Sequence, residues 1–254
     1  MRRSRSIFGF AAAAAVLVFA APSGSAKSSG QITVYAAASL TNVFPQIDRG
    51  PRYSFGGSNM LAAQIQQGAP ADVFASANMT LPAQLHAKKL CSTPVVFTRN
   101  ALVIVVPKSN PARLRSIYDL AGKGVKLVIA GPGVPVGSYT LQVLRNMDLS
   151  NAVLPNVVSR ETDVREVLAK VALGEADAGF VYATDAKVDA GKVKVLKVPA
   201  WAQPKVQYGI CIVSTSGDRR DAQAFITKVI GKTGQAKLLK AGFLPRVKSR
   251  SRTR

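Results

Sequence analysis

Apolar residues along this chain form short strand-like runs that alternate with segments of helical spacing. The runs ITVYAA at 32–37 and AGFVY at 178–182 are typical of buried strands. The clearest helical segment, ETDVREVLAKVAL, places Val164, Val167 and Val171 on one face. Strands that alternate with helices form mainly parallel sheets covered by helices on both faces. The pattern therefore predicts an α/β fold.

Two longer apolar stretches, at 94–107 and 201–213, can each run out of one compact unit and into another. About a hundred residues separate them, which suggests that a second lobe is inserted into the first. We expect a first lobe from residues 27–104 and 205–245 and a second lobe from residues 105–204. Each lobe should be a mainly parallel sheet flanked by helices, with two crossover strands between the lobes.

The two ends of the chain differ in composition from its body. Residues 1–26 begin with basic residues, continue as an apolar run from Ile7 to Ala21 and end in small residues at Ala26. This is the layout of a secretory signal, and the run is shorter than the roughly 20 residues of a membrane helix. We expect cleavage near Ala26 and an exported, periplasmic or extracytoplasmic protein, with a retained N-terminal anchor as the alternative. Residues 246–254 are predicted to be a solvated basic tail.

The chain carries a formal net charge of +21. Removing the signal and the tail still leaves residues 27–245 with an excess of about 13 basic residues. Such a charge attracts nucleic acid, acidic membrane surfaces and small oxyanions alike. The Lys and Arg residues are scattered, and no basic helix or aromatic-interleaved basic motif occurs, which argues against a nucleic-acid partner.

Cysteine and histidine are scarce, which limits the chemistry available. Cys91 and Cys211 are the two cysteines, and export would allow a disulfide between them. Cys211 lies in the apolar run YGICIVS, where a free thiol would pack equally well, so both states remain open. One histidine and no clustered thiols argue against a site for a bare metal ion, and no cofactor is expected.

The loop AGPGVPVG after a predicted strand is the nearest approach to an enzyme motif. Gly131, Gly133 and Gly137 miss the spacing of a dinucleotide-binding turn, and Pro132 and Pro135 remove backbone donors from the loop. We therefore expect a binding protein and not an enzyme.

Five residues follow strand ends or open helices. Ser39 follows the first strand, Ser58 opens a helix after YSFGG, and Val136 precedes the helix GSYTLQVLRNM. Val164 lies in the first turn of its helix, and Tyr182 closes the strand AGFVY. Helix N-termini and hydroxyl groups donate hydrogen bonds, and ligands of such sheets bind beyond the carboxyl ends of strands. The five residues therefore predict one site for a small anion that is carried and not transformed.

Several motifs, in this order, resemble the periplasmic molybdate-binding proteins of ABC importers, within the type II solute-binding proteins. Within residues 31–245 they are VYAAASLTNVF, SFGGSNMLAAQIQQGAPADVFASAN, VPVGSYTLQVL, ETDVREVLAKVALGEADAGFVYATDA and the closing AGF. The resemblance implies a two-lobed clamp that captures molybdate, or tungstate, and delivers it to the membrane permease of an importer. It also implies a monomer.

The resemblance also assigns a way of binding to each of the five residues. In that family the two serine positions bind through hydroxyl and N–H groups, the positions of Val136 and Val164 bind through N–H groups, and the tyrosine binds through its hydroxyl. This chain has Val136 where alanine is common, and a backbone donor tolerates that change. It also has Asn59 in place of a run of serines, as either an extra donor or a helix cap.

A related solute-binding protein for sulfate, thiosulfate or another small anion is the alternative. An organic carboxylate would call for an arginine clamp, for which Arg160 and Arg165 are the nearest residues. Molybdate, tungstate and sulfate carry no proton at neutral pH, so they only accept hydrogen bonds. The choice among them must depend on the size of the cavity.

Overall fold

The computed structural model describes residues 31–246. The predicted signal at 1–26 and the predicted tail beyond Arg246 lie outside the described residues. None of the helices within residues 31–246 is long and apolar enough to cross a membrane.

Strands and helices alternate along the described chain, as the hydrophobic pattern predicts. The strands are β1 Thr33–Ala37, β2 Arg52–Gly56, β3 Val73–Ser76, β4 Val95–Arg99, β5 Leu102–Pro107, β6 Leu127–Ala130, β7 Val157–Glu161, β8 Ala178–Tyr182, β9 Val193–Lys197 and β10 Gln207–Ile212. The α-helices are α1 Phe44–Ile47, α2 Ser58–Gln66, α3 Thr80–Ala87, α4 Pro135–Asn146, α5 Ser150–Val153, α6 Val164–Ala172, α7 Ala183–Val188, α8 Arg219–Ile230 and α9 Lys232–Ala241. Short 3-10 turns lie at Ala38–Leu40, Ile117–Ala121, Leu154–Asn156 and Ala200–Ala202.

The strands form two five-stranded sheets. The first sheet has the order β2-β1-β3-β10-β4, and the second has the order β7-β6-β8-β5-β9. β10 is antiparallel to both of its neighbours in the first sheet, and β5 is antiparallel to both of its neighbours in the second. The other strands of each sheet therefore run in one direction, and the reversed strand is the one that follows a passage between the sheets. The predicted fold class is confirmed.

The chain passes from the first sheet to the second across only Asn100 and Ala101, between β4 and β5. The predicted lobe limit at 104/105 falls inside β5, which lies wholly in the second sheet. The return passage is residues 198–206. There the Gln203 side chain bonds both backbone groups of Leu102, accepting from the N–H at 3.0 Å and donating to the carbonyl at 2.7 Å. The two passages are thus tied together, and the division into lobes stays a prediction.

Proline shortens the first helix, as its sequence predicts. The segment after β1 forms a 3-10 turn at Ala38–Leu40, and α1 starts only at Phe44, with Pro45 in its first turn. Proline is tolerated there because the first N–H groups of a helix have no partner within the helix. The chain after β1 therefore turns sharply at Ser39 and does not continue as one long helix.

The closing helices pack on the first sheet, also as predicted. Phe225 of α8 lies edge-on to Phe44 at 5.6 Å between ring centroids, and it contacts the Tyr53 ring at 6.2 Å. Aromatic pairs at such distances add to the free energy of burial. The C-terminal segment thus completes the core beneath β1 and β2.

Cys91 and Cys211 form a disulfide, which settles an alternative that the sequence left open. The bond joins residues 120 positions apart, with the Cα atoms 6.0 Å from each other. Both residues are buried in a small apolar cluster that also contains Phe74 and Leu85. The bond therefore ties the segment between α3 and β4 to the returning strand β10.

Replacing both cysteines by alanine should lower the free energy of unfolding by about 2–5 kcal/mol, because the unfolded chain loses a long covalent loop. Urea unfolding of the oxidised protein and the double variant measures the difference. A reductant should lower the free energy of unfolding of the unmodified protein to that of the variant, and it should leave the value of the variant unchanged. Equal unfolding midpoints for the oxidised protein and the variant would contradict the expectation.

Candidate functional site

Three parallel strands from each sheet end at one small cavity. β1, β2 and β3 reach it from the first sheet, and β6, β7 and β8 reach it from the second. The cavity volume is about 10 Å³, close to what one water-sized sphere requires. All five residues predicted from the sequence line it and are at least 96% buried: Ser39, Ser58, Val136, Val164 and Tyr182.

The Ser39 hydroxyl is the end of a buried chain of hydrogen bonds. Its Oγ lies 2.9 Å from the Tyr208 hydroxyl, which also accepts a 3.4 Å bond from the Asn100 amide. The same amide nitrogen donates to Thr184 Oγ1 at 2.9 Å. Either hydroxyl can donate in the bond between Ser39 and Tyr208. When Tyr208 donates, the Ser39 proton is free to be donated into the cavity.

The Ser58 hydroxyl can also donate its proton into the cavity. Its Oγ accepts a 3.1 Å bond from the N–H of Ala77, which follows β3. A hydroxyl that accepts in this way keeps its proton for another partner. Ser58 is also the first residue of α2, so its own N–H has no acceptor within the helix. Both groups can therefore donate to one ligand.

Val136 and Val164 lie at helix starts where few backbone donors remain. In α4, Pro135 has no N–H, and the Ser138 N–H is bonded to the Val134 carbonyl. The N–H of Val136 lies between these two positions, in the first turn of α4.

In α6 the capping residue takes up most of the first-turn donors. Asp163 Oδ1 accepts from Arg165 N at 2.6 Å and from Glu166 N at 3.2 Å, which leaves the N–H of Val164. The capping pattern thus selects one donor at this helix start.

Tyr182 places an unsatisfied hydroxyl in the cavity wall. Among residues 31–246, no group forms a hydrogen bond with its Oη, although the oxygen is buried. Its ring lies 5.6 Å from that of Tyr208 in an edge-on arrangement. Burial raises the pKa of Tyr182 well above its usual value, and nearby Tyr208 adds to the rise. The hydroxyl therefore stays protonated at neutral pH and can act as a donor.

No lysine or arginine is found among the described residues that line the cavity. Arg160 is exposed, and Arg165 Nε forms an ion pair with Asp185 Oδ1 at 2.9 Å, so neither forms the clamp that an organic carboxylate would need. Burial raises the pKa of Asp185 to about 7, against the lowering effect of Arg165.

Asn59 is outside the lining, and the N-cap of α2 is Gly57, so Asn59 has neither of its two expected roles.

Eight further described residues line the cavity without having been named as site residues from the sequence, and Gly57 and Asp163 are the two that bear most on its chemistry. For Asp163 the signal was present, because an aspartate directly before an amphipathic helix is a common N-cap. For Gly57 the signal was only a glycine pair before a helix, which does not show what the backbone approaches.

Comparison with known proteins agrees with this architecture. The family model described as bacterial extracellular solute-binding protein matches residues 51–244. The chain belongs to this family. Family membership confirms the predictions of a solute-binding protein that acts outside the cytoplasm and is not an enzyme.

Among the relatives of this solute-binding protein, the molybdate-binding protein ModA of Mycobacterium tuberculosis is 36% identical over 232 residues, covering 87% of each chain. Among solved structures, the periplasmic molybdate-binding protein of Azotobacter vinelandii matches with a TM-score of 0.76 and 22% identity, covering 85% of this chain and all of that one. The sulfate-binding protein SubI of M. tuberculosis matches with a TM-score of 0.75 and 22% identity, covering 85% of this chain and 87% of that one. At such identities the two structures show the fold alone.

Gly57 is a point of close contact between elements of the two sheets. A Cβ atom there would overlap the carbonyl oxygen of Thr162, which lies between β7 and α6. The backbone of Gly57 has φ −60° and ψ 127°, which any residue adopts easily. Glycine is therefore required by the approach of the two sides and not by its own conformation.

The Gly57→Ala variant should fold normally and hold the cavity walls further apart, because the added methyl group meets Thr162 only when the two sides approach. Gly56→Ala is the matched control, since a Cβ there has ordinary contacts with Leu61 alone. Small-angle scattering should show a larger radius of gyration for Gly57→Ala and no change for the control. Identical scattering from the two variants would contradict the expectation.

Proposed function

We propose that this protein captures molybdate between its two sheets and delivers it to the membrane permease of an ABC importer. The observation that carries the proposal is the convergence of donors without a basic side chain. Hydroxyls of Ser39, Ser58 and Tyr182 and first-turn N–H groups of Val136 and Val164 surround one buried cavity. An oxyanion without a proton only accepts hydrogen bonds, so such a wall suits it.

Two further observations support an inorganic oxyanion. No described arginine lines the cavity as the clamp that an organic carboxylate would need. The relatives that match by sequence include molybdate-binding proteins from Mycobacterium tuberculosis and Escherichia coli, the latter 34% identical over 217 residues. Tungstate has the same charge and shape, and we propose that it binds as well.

The remaining predictions belong to the same proposal. The protein would be exported by its N-terminal signal, cleaved near Ala26, and act as a monomer. Residues 27–104 with 205–245 and residues 105–204 would be the two lobes, and the passages at Asn100–Ala101 and 198–206 would be the hinge. Closure about such a hinge is the common motion of binding proteins of this shape.

Hydrogen phosphate is the one competitor that a specific observation favours. Asp163 is a carboxylate in the cavity lining, and a carboxylate can accept the proton of a protonated oxyanion. Its Oδ1, however, already accepts two backbone N–H groups, which ties the carboxylate to its helix. A fully deprotonated ligand therefore remains the better match to the donor set.

Thermal unfolding of the ligand-stripped protein with molybdate, tungstate, sulfate and phosphate tests the proposal. A ligand at a thousand times its dissociation constant adds about 4 kcal/mol, which raises the midpoint by several degrees. We expect large shifts with molybdate and tungstate and small shifts with sulfate and phosphate. An equal shift with sulfate would reject molybdate as the preferred ligand, and a shift with phosphate alone would favour the role of Asp163 as acceptor.

The Tyr182→Phe variant removes one donor and keeps the ring that packs on Tyr208. The loss of a hydrogen bond to a charged ligand costs about 1.5–3 kcal/mol, so molybdate affinity should fall about tenfold to a hundredfold. Tyr118→Phe is the matched control, because that ring is 58% exposed and lies away from the cavity. Titration calorimetry measures both, and equal affinities in the two variants would exclude Tyr182 as a ligand.

A further inference from the structure

We propose that Arg165 is a positioning residue for anion binding, which holds three ligand-bearing segments together when the two sides of the cavity meet. The inference rests on the proposed function. Arg165 does not itself line the cavity, so it acts through other residues.

The guanidinium group joins residues that are close in sequence to three proposed ligands. Its Nη2 donates to Asn42 Oδ1 at 2.6 Å, and its Nε lies 2.9 Å from Asp185 Oδ1. Asn42 follows Ser39 by three residues, and Asp185 follows Tyr182 by three. Arg165 itself directly follows Val164. One side chain thus connects the turn after β1, the start of α6 and the junction of β8 with α7.

The two contacts of Arg165 differ in kind. Asp185 is fully buried in α7 and Arg165 is in α6, and both helices pack on the second sheet, so this pair stays intact in any relative position of the sheets. Asn42 is exposed and follows a strand of the first sheet, so this contact exists only when the two sides are together. Asp185 therefore orients the guanidinium group, and Asn42 accepts its hydrogen bond when the two sides come together.

The chemistry of arginine suits this arrangement. A guanidinium group spreads its charge over a planar group of three nitrogens, so one nitrogen can pair with a carboxylate while another donates to an amide, whereas lysine carries its charge on a single nitrogen. Removing Arg165 outright would leave the Asp185 carboxyl buried without its partner and would endanger the fold. The decisive change is therefore made at Asn42, where the ion pair remains.

Three variants separate the roles. Asn42→Ala removes the contact between the two sides, and Asn42→Asp replaces it by an ion pair with Arg165. Asn151→Ala, at an exposed position on α5, is the matched control.

The first measurement does not depend on the ligand. Spin labels at Gln64→Cys on α2 and Ala169→Cys on α6 report the distance between the two sides in the ligand-free protein, since both native cysteines are in the disulfide. We expect the population with the short distance to fall in Asn42→Ala, to rise in Asn42→Asp and to stay unchanged in Asn151→Ala.

The second measurement follows dissociation of radiolabelled molybdate chased with unlabelled molybdate. The contact is partly exposed, so its loss should raise the dissociation rate about threefold to tenfold in Asn42→Ala, and Asn42→Asp should lower it. Equal label distances in Asn42→Ala and the control would overturn the inference, whether or not molybdate binds. Failure of molybdate to bind the unmodified protein, with the label distances changing as expected, would reject the proposed ligand and keep the role of Arg165.

Discussion

A buried anion without a countercharge depends on hydrogen-bond donors whose positions are set before the ligand arrives, and the rest of this structure serves that constraint. Six parallel strands, three from each sheet, end at one small cavity, so that helix starts and hydroxyl groups meet there. Donors on rigid elements need little rearrangement on binding, and that preorganisation preserves affinity. The Asp163 carboxylate, which lines the cavity, has its Oδ1 bonded to two N–H groups of α6.

Hydrogen bonds behind the cavity wall connect the wall to more distant residues. Asn100 lies in the passage between the sheets and donates to the Tyr208 hydroxyl, which is hydrogen-bonded in turn to Ser39. The proposed hinge and the cavity thus share one hydrogen-bond chain. Arg165 and Asp185 lie behind another part of the wall, and Asn42 extends that pair to the first sheet. Asn100 in the proposed hinge is thus linked through Tyr208 to Ser39, and Asn42 is linked to Arg165, which directly follows Val164.

The fold could be predicted largely from the sequence because its cause is local. Alternation of apolar runs with helical spacing is written into each segment, and Pro45 and the Asp163 cap mark helix starts by backbone chemistry alone. Pairing between distant segments could not be predicted in this way. The reversal of β5 and β10, the exact passage at Asn100 and the bond between Cys91 and Cys211 depend on which strands lie side by side.

The features of the candidate site also fall into two groups, those that the sequence predicts and those that depend on the packing of distant segments. The sequence allowed Ser39, Ser58, Val136, Val164 and Tyr182 to be named, because each lies beside a predicted strand end or helix start within a motif that resembles the molybdate-binding family, and the structure brings all five to one cavity. Only the tertiary structure decided that Gly57 must lack a side chain, that Tyr208 is hydrogen-bonded to Ser39, and that Arg165 pairs with Asp185. These depend on contacts between residues 20 to 169 positions apart. A local pattern specifies what a segment can donate, and packing of distant segments determines which of those groups remain free.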